Sequence, residues 1–243
     1  MKVGDTHEIT IVGAGLAGTL LALLLTQRGH RVVLYERNPD PRSAGDPAGR
    51  SINLALAERG RHALRCAGLL EQVDRHTIPM RGRMLHDEQG GLTLQPYGAR
   101  EDEVIYSVHR AQLNRQLLDA ADRTGRIRCY FDHALDGIDW AERRVSFTTA
   151  RGPVTHPFEV LIGTDGGGSR VRRSMQDEAG IEVSEDLLEH GYKELSMPPA
   201  EDGGFAMDPN ALHIWPRGGF MMIALPNPDR SFTCTCFWPF AGP

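Results

Sequence analysis

The stretch Ile9–Gly18, ITIVGAGLAG, leaves the backbone few solutions. A β-branched run ends at Gly13, Gly15 and Gly18. LAGTLLALLLTQRG then has the composition of a buried helix that stops near Gly29, and RVVLYER is a second β-branched strand. A strand, a glycine turn, a helix and a parallel strand within about thirty residues form the opening unit of a Rossmann-like nucleotide-binding fold.

Each glycine has its own physical reason. Gly13 permits the tight turn, Gly15 lets phosphates approach the backbone, and Gly18 lets the helix pack closely on the strands. The N–H groups and dipole of the helix N-terminus then favour a pyrophosphate. Glu36 ends the second strand. A carboxylate there accepts hydrogen bonds from both hydroxyls of an adenosine ribose and repels a 2′-phosphate, so the pocket suits FAD or NAD rather than NADP. Further on, VLIGTDGGGSRVRR places Asp165 and Gly166 after a buried strand. Two readings of Asp165 stand at this point. It belongs to a second turn serving a long cofactor such as FAD, or it caps the next helix.

The rest of the chain departs from one doubly wound sheet. LAERGRHALRCAGLLEQV reads as helix, and GRMLHDEQGGLTLQPYG reads as a hairpin turning at Gln89, Gly90 and Gly91. EVIYSV reads as strand, and RAQLNRQLLDAADRTG as a helix with Leu113, Leu117 and Ala121 on one face. Three short strands are expected before FEVLIG, and ALHIWP, GFMMIALP and SFTCTCFWPF read as sheet. The expected division is a nucleotide-binding part, residues 1–76 and 99–180, and a second sheet, residues 77–98 and 181–243.

The formal net charge of −5 and the lack of a long basic run argue against nucleic acid as the main partner. Cys66, Cys129, Cys234 and Cys236 form no CxxC and no zinc-site spacing, and are expected as buried thiols of a reducing cytosol. A strand through Cys234 and Cys236 puts both on one face. No metal site is expected. The polar start MKVGDTHE gives no secretory signal. The longest apolar run, Leu20–Leu25, is far short of the roughly 20 residues of a membrane span.

With these residues in view, the chain resembles the class A flavin-dependent aromatic hydroxylases, and within them the kynurenine-hydroxylating branch. GAGLAG, YER and GTDGGGSRVR carry the class. RSINLALAERG, GRMLHDEQGGLTLQPYG, YSVHRAQLN, HGYKEL and ALHIWPRGGFMMIALPNPDRSFTCTCFWPF carry the branch. The resemblance runs from Ile9 to the last residue and covers about the first half of the family's usual length. It implies an α/β fold: a Rossmann-like FAD-binding domain of the glutathione-reductase type with an interleaved, mostly antiparallel substrate-binding sheet.

The resemblance also implies roles. Ala17 joins Gly13, Gly15 and Gly18 in the pyrophosphate turn. Glu36, Arg37 and Asn38 hold the adenosine end, and Ala55, Arg110, Leu135 and Asp165 meet FAD. Arg83 and Tyr97 hold the carboxylate of an aromatic amino acid. A guanidinium binds a carboxylate through two parallel charge-assisted bonds, and a phenol adds a donor. From residue type alone, Arg83 would read as a solvated arginine beside Arg81. The implied reaction consumes NADPH as a transient co-substrate and O₂, and hydroxylates kynurenine to 3-hydroxykynurenine through a flavin C4a-hydroperoxide. No residue is singled out as a catalytic acid or base. Two other readings accompany this one: hydroxylation of a different anionic aromatic, such as a hydroxybenzoate, and an FAD-binding fragment without catalysis.

Overall fold

A computed structural model of the chain describes residues 6–43 and 53–241. The motif residues Arg50, Ser51 and Ile52 lie outside the described residues. In chain order the elements are β1 (Glu8–Val12), α1 (Leu16–Gln27), β2 (Arg31–Tyr35), β3 (Asn53–Leu56), α2 (Glu58–Cys66), α3 (Leu70–Asp74), β4 (Thr77–Met80), β5 (Gly82–His86), β6 (Leu92–Pro96), β7 (Ile105–His109) and α4 (Arg110–Arg123). There follow β8 (Ile127–Tyr130), β9 (Ala134–Asp139), β10 (Arg144–Thr149), β11 (Gly152–Pro157), β12 (Val160–Gly163), α5 (Arg170–Ala179), β13 (His190–Met197), β14 (Ala211–Arg217), β15 (Phe220–Pro226) and β16 (Phe232–Pro239).

Two compact units result. The first holds Met1–Pro47 and Leu113–Glu185, and the second Ala48–Gln112 and Asp186–Pro243. This cut differs from the sequence division, because residues 48–76 and 99–112 group with the second unit. The reason is local. Asn53 of β3 and Ser107 of β7 are both hydrogen-bonded to the Pro226 carbonyl of β15.

In the first unit, β12, β1, β2 and β8 form a parallel sheet in that order. β1 and β2 are buried along four consecutive residues each, as strands covered on both faces must be. Four strands, not the three expected, lie between α4 and β12. β9, β10 and β11 form an antiparallel sheet with a register shift between Ser146 and Phe147. That shift lets both Leu135 and Ile138 turn inward. They pack with Val33, Tyr35, Val145, Phe147 and Val171 in one buried cluster.

In the second unit, a six-stranded sheet runs β13-β16-β15-β14-β5-β6. All its pairs are antiparallel except β14 with β5. β3, β7 and β4 form a smaller antiparallel sheet. The expected hairpin is present as β5–β6, closed by Asp87, whose carboxylate accepts from the Gln89 and Gly91 amides. The segment expected as one helix is two, α2 and α3, separated at Gly68, which has φ +72°. Leu56, the first residue of that segment, ends β3 instead. Cys234 and Cys236 are buried on one face, as alternation requires, and Cys129 is half-buried. Cys66 is exposed, contrary to expectation, because α2 buries only Leu64.

The Tyr35 phenol is stacked on Phe147 at 4.2 Å and on Tyr130 at 5.2 Å. Its pKa is pushed up to about 12, by burial first and then by Tyr130 and Glu8. The folded chain therefore keeps a proton that the unfolded chain loses near its ordinary pKa of about 10. Stability should fall as pH rises from about 10 towards 12, where the folded state binds more protons than the unfolded one. Tyr35→Phe removes the titrating group. Urea-unfolding midpoints followed across the alkaline range should fall less steeply in that variant than in the wild type.

Candidate functional site

The glycine turn is held from behind by a single threonine. Gly13 has φ +104°, and its amide donates to the Tyr35 carbonyl at 2.7 Å. The Thr164 amide donates to the Val12 carbonyl at 2.8 Å, and its hydroxyl donates to the Val12 and Gly13 carbonyls at 3.0 and 2.8 Å. A Cβ on Gly13 would overlap the Thr164 carbonyl, and one on Gly18 would overlap the Gly13 carbonyl and the Thr164 hydroxyl. Packing within the protein thus accounts for both glycines. Gly15 is different: a Cβ there would meet no atom within 4 Å. The protein leaves the space over Gly15 open, which is what close approach of a ligand to the backbone requires.

That space lies at the start of α1. Gly15 is the N-cap, with no side-chain cap and no acidic residue in the first turn. The amides of Leu16, Ala17 and Gly18 precede the first intrahelical acceptor-donor pair, Thr19 N to Gly15 O at 3.0 Å. Ala17 is exposed there. An uncapped helix N-terminus behind an open glycine fits the pyrophosphate of a dinucleotide.

Glu36 links the turn to the end of β2. Its Oε2 accepts from the Ala14 amide at 2.9 Å, and its Oε1 accepts from the Asn38 amide and carboxamide at 3.0 and 2.7 Å. The segment leading into β9 is zipped alongside: Glu36 N donates to Tyr130 O, Asp132 N to Asn38 O, and His133 N to Glu36 O. Arg37 is exposed beside it. Arg42 fastens the following turn, donating to Asp40 at 2.7 Å and to Asp122 of α4 at 2.5 Å. The Arg42 guanidinium holds the Asp40 carboxyl below the usual carboxylate range. Leu135 follows the zipped segment, with its side chain in the core and its carbonyl accepting from Arg170.

The two readings of Asp165 can now be weighed. Its carboxylate accepts from the Ser169 hydroxyl and from the Arg170 and Val171 amides, so the side chain caps α5. Its backbone lies against Gly13. The residue that sequence reasoning missed is Thr164. Its only signal was its place immediately before Asp165 in GTDGGGS.

The second unit carries the other candidates. Ala55 lies exposed on β3, in register with Ser107 of β7, and Arg110 begins α4 directly after β7. The hairpin brings Arg83 and Tyr97 together, with the guanidinium carbon 5.5 Å from the ring centroid. The Tyr97 amide extends the hairpin pairing by donating to the Arg81 carbonyl at 3.1 Å. The Tyr97 hydroxyl is sealed from water and, among the described residues, meets no partner with hydrogen-bonding geometry. Burial pushes its pKa above the ordinary value, and the nearby Arg83 charge works against that rise.

Register shows what else shares the Arg83 face. Arg83 pairs with Leu212, Leu85 with Ile214, and Ile214 with Ile223. Alternation adds Leu225 to the row. A charged anchor therefore stands at the margin of an aliphatic wall. Among the described residues no group of His, Cys, Asp or Glu is placed to hold a metal ion, and no helix is long and apolar enough to cross a membrane.

The model of the FAD binding domain family matches residues 6–238. The chain is 50% identical over 238 residues to kynurenine 3-monooxygenase of Xanthomonas campestris pv. campestris strain 8004, covering 97% of this chain and 52% of that protein. It is 50% identical over 244 residues to kynurenine 3-monooxygenase of Xanthomonas oryzae pv. oryzae strain MAFF 311018, covering 100% and 53%. The chain thus spans about half the length of the curated relatives it matches. Among solved structures, PqsL of Pseudomonas aeruginosa in complex with 2-aminobenzoylacetate superimposes with a TM-score of 0.72 at 21% identity, covering 97% of this chain and 61% of that one. A flavoprotein/dehydrogenase from Cytophaga hutchinsonii gives a TM-score of 0.76 at 15% identity, covering 97% and 56%. These two likenesses speak to the fold.

The glycine geometry separates two substitutions. Gly18→Ala forces the turn apart and should cost about 1–3 kcal/mol of stability, the usual range for overpacking. Gly15→Ala meets no protein atom, so it should cost less than about 1 kcal/mol, as for a changed N-cap residue. Urea unfolding of both variants beside the wild type checks the contrast.

Proposed function

Because the chain belongs to the FAD binding domain family, we propose that it carries the nucleotide-binding and substrate-anchoring half of an FAD-dependent hydroxylase of kynurenine. One observation carries the substrate side of this reading. A guanidinium and a buried, unpartnered phenol are brought together at the edge of an aliphatic sheet face. That arrangement is complementary to a flat aromatic ring bearing a carboxylate on a side chain. The names of the relatives, kynurenine 3-monooxygenases, support the choice of ring.

In this reading FAD takes its pyrophosphate at Gly15, Leu16, Ala17 and Gly18. Glu36, with Arg37 and Asn38, receives the adenosine ribose, and Ala55, Arg110 and Leu135 make further contacts. Asp165 serves indirectly, by fixing the α5 N-terminus and backing Gly13. The bound flavin, reduced by NADPH and exposed to O₂, supplies the oxygen chemistry. The protein's own residues orient and exclude. Arg83 grips the substrate carboxylate in a fork, and the Tyr97 hydroxyl donates to the same group. Leu212, Ile214, Ile223 and Leu225 offer the ring an apolar surface and keep water from it. Anchoring the far end of the substrate fixes the distance of the ring from the reactive group. The ring amine activates its own ortho carbon, so the reading needs no strong base.

The test is direct. The purified chain should bind FAD with a flavin absorbance band, and kynurenine should stimulate its NADPH oxidation. A hydroxybenzoate that stimulates equally would assign a different aromatic anion. Glu36→Gln and Gly15→Ala should each leave the fold intact and weaken FAD retention through dialysis. Arg83→Ala should weaken kynurenine binding about tenfold or more, the usual consequence of losing a charge-assisted pair. An analogue without the carboxylate should lose much less. Equal losses for both ligands would remove Arg83 from the carboxylate role.

A further inference from the structure

Asn53 carries an acceptor that the protein does not use. It opens β3, and its Nδ2 donates to the Ser107 hydroxyl at 3.0 Å and to the Pro226 carbonyl at 2.9 Å. A carbonyl can only accept, so the amide face turned to Pro226 is the NH₂ and the orientation of the group is fixed. Ser107 is buried and donates to the same Pro226 carbonyl at 2.8 Å, which braces the arrangement. The remaining atom, Oδ1, is cut off from water and meets no donor among the described residues. Buried acceptors are nearly always paired, so an orphan with a locked orientation asks for a donor from outside the chain.

Its place in the unit says which donor. Pro226 directly follows Leu225, the last aliphatic residue of the face that carries Arg83. Among the described residues the unit holds three sealed polar atoms without a partner, the Tyr97 hydroxyl and the side-chain carbonyl oxygens of Asn53 and Asn227. The Asn227 amide is turned to Ser231 and Thr233 within its own turn, whereas the Asn53 amide is joined to the Pro226 carbonyl. The Tyr97 hydroxyl can donate to a carboxylate. The Asn53 oxygen can only accept. A ligand complementary to both bears a carboxylate and, on its aromatic part, an N–H. We propose that Asn53 Oδ1 receives an aromatic N–H of the bound ligand and makes the site selective for arylamines. The inference deepens the proposed function and rests on it for the identity of the arylamine, kynurenine. The ring imide N–H of the flavin offers the same chemistry, and the experiment distinguishes the two sources.

Three dissociation constants are measured on the wild-type chain and on Asn53→Leu: FAD, then kynurenine on the FAD-saturated chain, then the kynurenine analogue lacking the ring amine. The wild type should hold kynurenine about tenfold more tightly than the analogue, the usual effect of one well-placed hydrogen bond to a buried group. Asn53→Leu should abolish that preference while leaving the analogue and FAD unchanged. If FAD weakens about tenfold instead and the preference survives, the donor is the flavin and the acceptor role stands. Unchanged constants for all three ligands would overturn the proposal, as would equal losses for kynurenine and the analogue. Ser107→Ala controls for stability, because it breaks the brace and keeps Oδ1; it should preserve the preference for the amine. Should Asn53→Leu not fold, the wild-type ratio alone decides, since no preference for the amine leaves Oδ1 without its donor. A wild-type chain that binds FAD but not kynurenine overturns the substrate reading and leaves Asn53 to the FAD comparison. One that binds neither overturns both.

Discussion

The hydroxyl of Thr164 fixes the geometry on which the nucleotide end depends. It donates to two successive carbonyls, Val12 and Gly13, at the point where β1 becomes the glycine turn. The neighbouring Thr164 amide donates to Val12 as well, as β12 pairs with β1. This close approach leaves no room for a Cβ on Gly13 or Gly18, so two of the three glycines are explained without a ligand. What remains, Gly15 facing open space above an uncapped helix, is the part shaped for something else. The division follows the roles the GxGxxG pattern assigns, with Gly13 and Gly18 crowded by the fold and Gly15 left open.

Glu36 shows the same economy. Three hydrogen bonds to its carboxylate come from the protein itself, from Ala14 and Asn38. A carboxylate has about four acceptor positions, so roughly one is left for a ribose hydroxyl. The expectation that it would take both hydroxyls therefore overstates its free capacity. Its charge is also part of the turn. By accepting from the Ala14 amide it places negative charge beside the open space over Gly15, and the N-terminus of α1 compensates. The carboxylate is thus immobilised by its own chain. It cannot swing away at little cost.

Much of this was legible in the sequence where periodicity and turn chemistry agree. The β1–α1–β2 unit, the β5–β6 hairpin and the three strands from β14 to β16 follow directly from their residues. The rest was hidden for physical reasons. β3 is four residues long and half exposed, so NLAL has no alternation to betray it. The break between α2 and α3 rests on the positive φ of Gly68 within an otherwise helical composition. The grouping of residues 48–76 and 99–112 with the second unit depends on side-chain bonds from Asn53 and Ser107 to a carbonyl more than a hundred residues away. Of the site residues, the pairing of Arg83 with Tyr97 could be anticipated from the hairpin. The second role of Asp165, as a helix cap, was one of two open readings. Thr164 and Asn53 were invisible, because their importance lies in what their side chains touch.

The sheet of the second unit also shows why polar groups can be left unpaired without loss of the fold. Its opposite face is filled by Ala224, Phe232 and Cys234, with Met197, Trp215 and Met222 packed against them. Stability is vested there. The Arg83 face can then tolerate an exposed guanidinium, a row of half-buried aliphatic side chains that ends in the buried Leu225, and a phenol with no hydrogen-bond partner among the described residues. Period-two alternation puts the two tasks on opposite sides of the same strands, so that Met84 and Arg83, or Ala224 and Leu225, belong to different problems. A one-residue slip in β5 would exchange them and bury the Arg83 charge in the core. The Arg217 guanidinium opposes such a slip. It donates to the His86 and Asp87 carbonyls and so pins the end of β5 against β14, at the only parallel junction of that sheet.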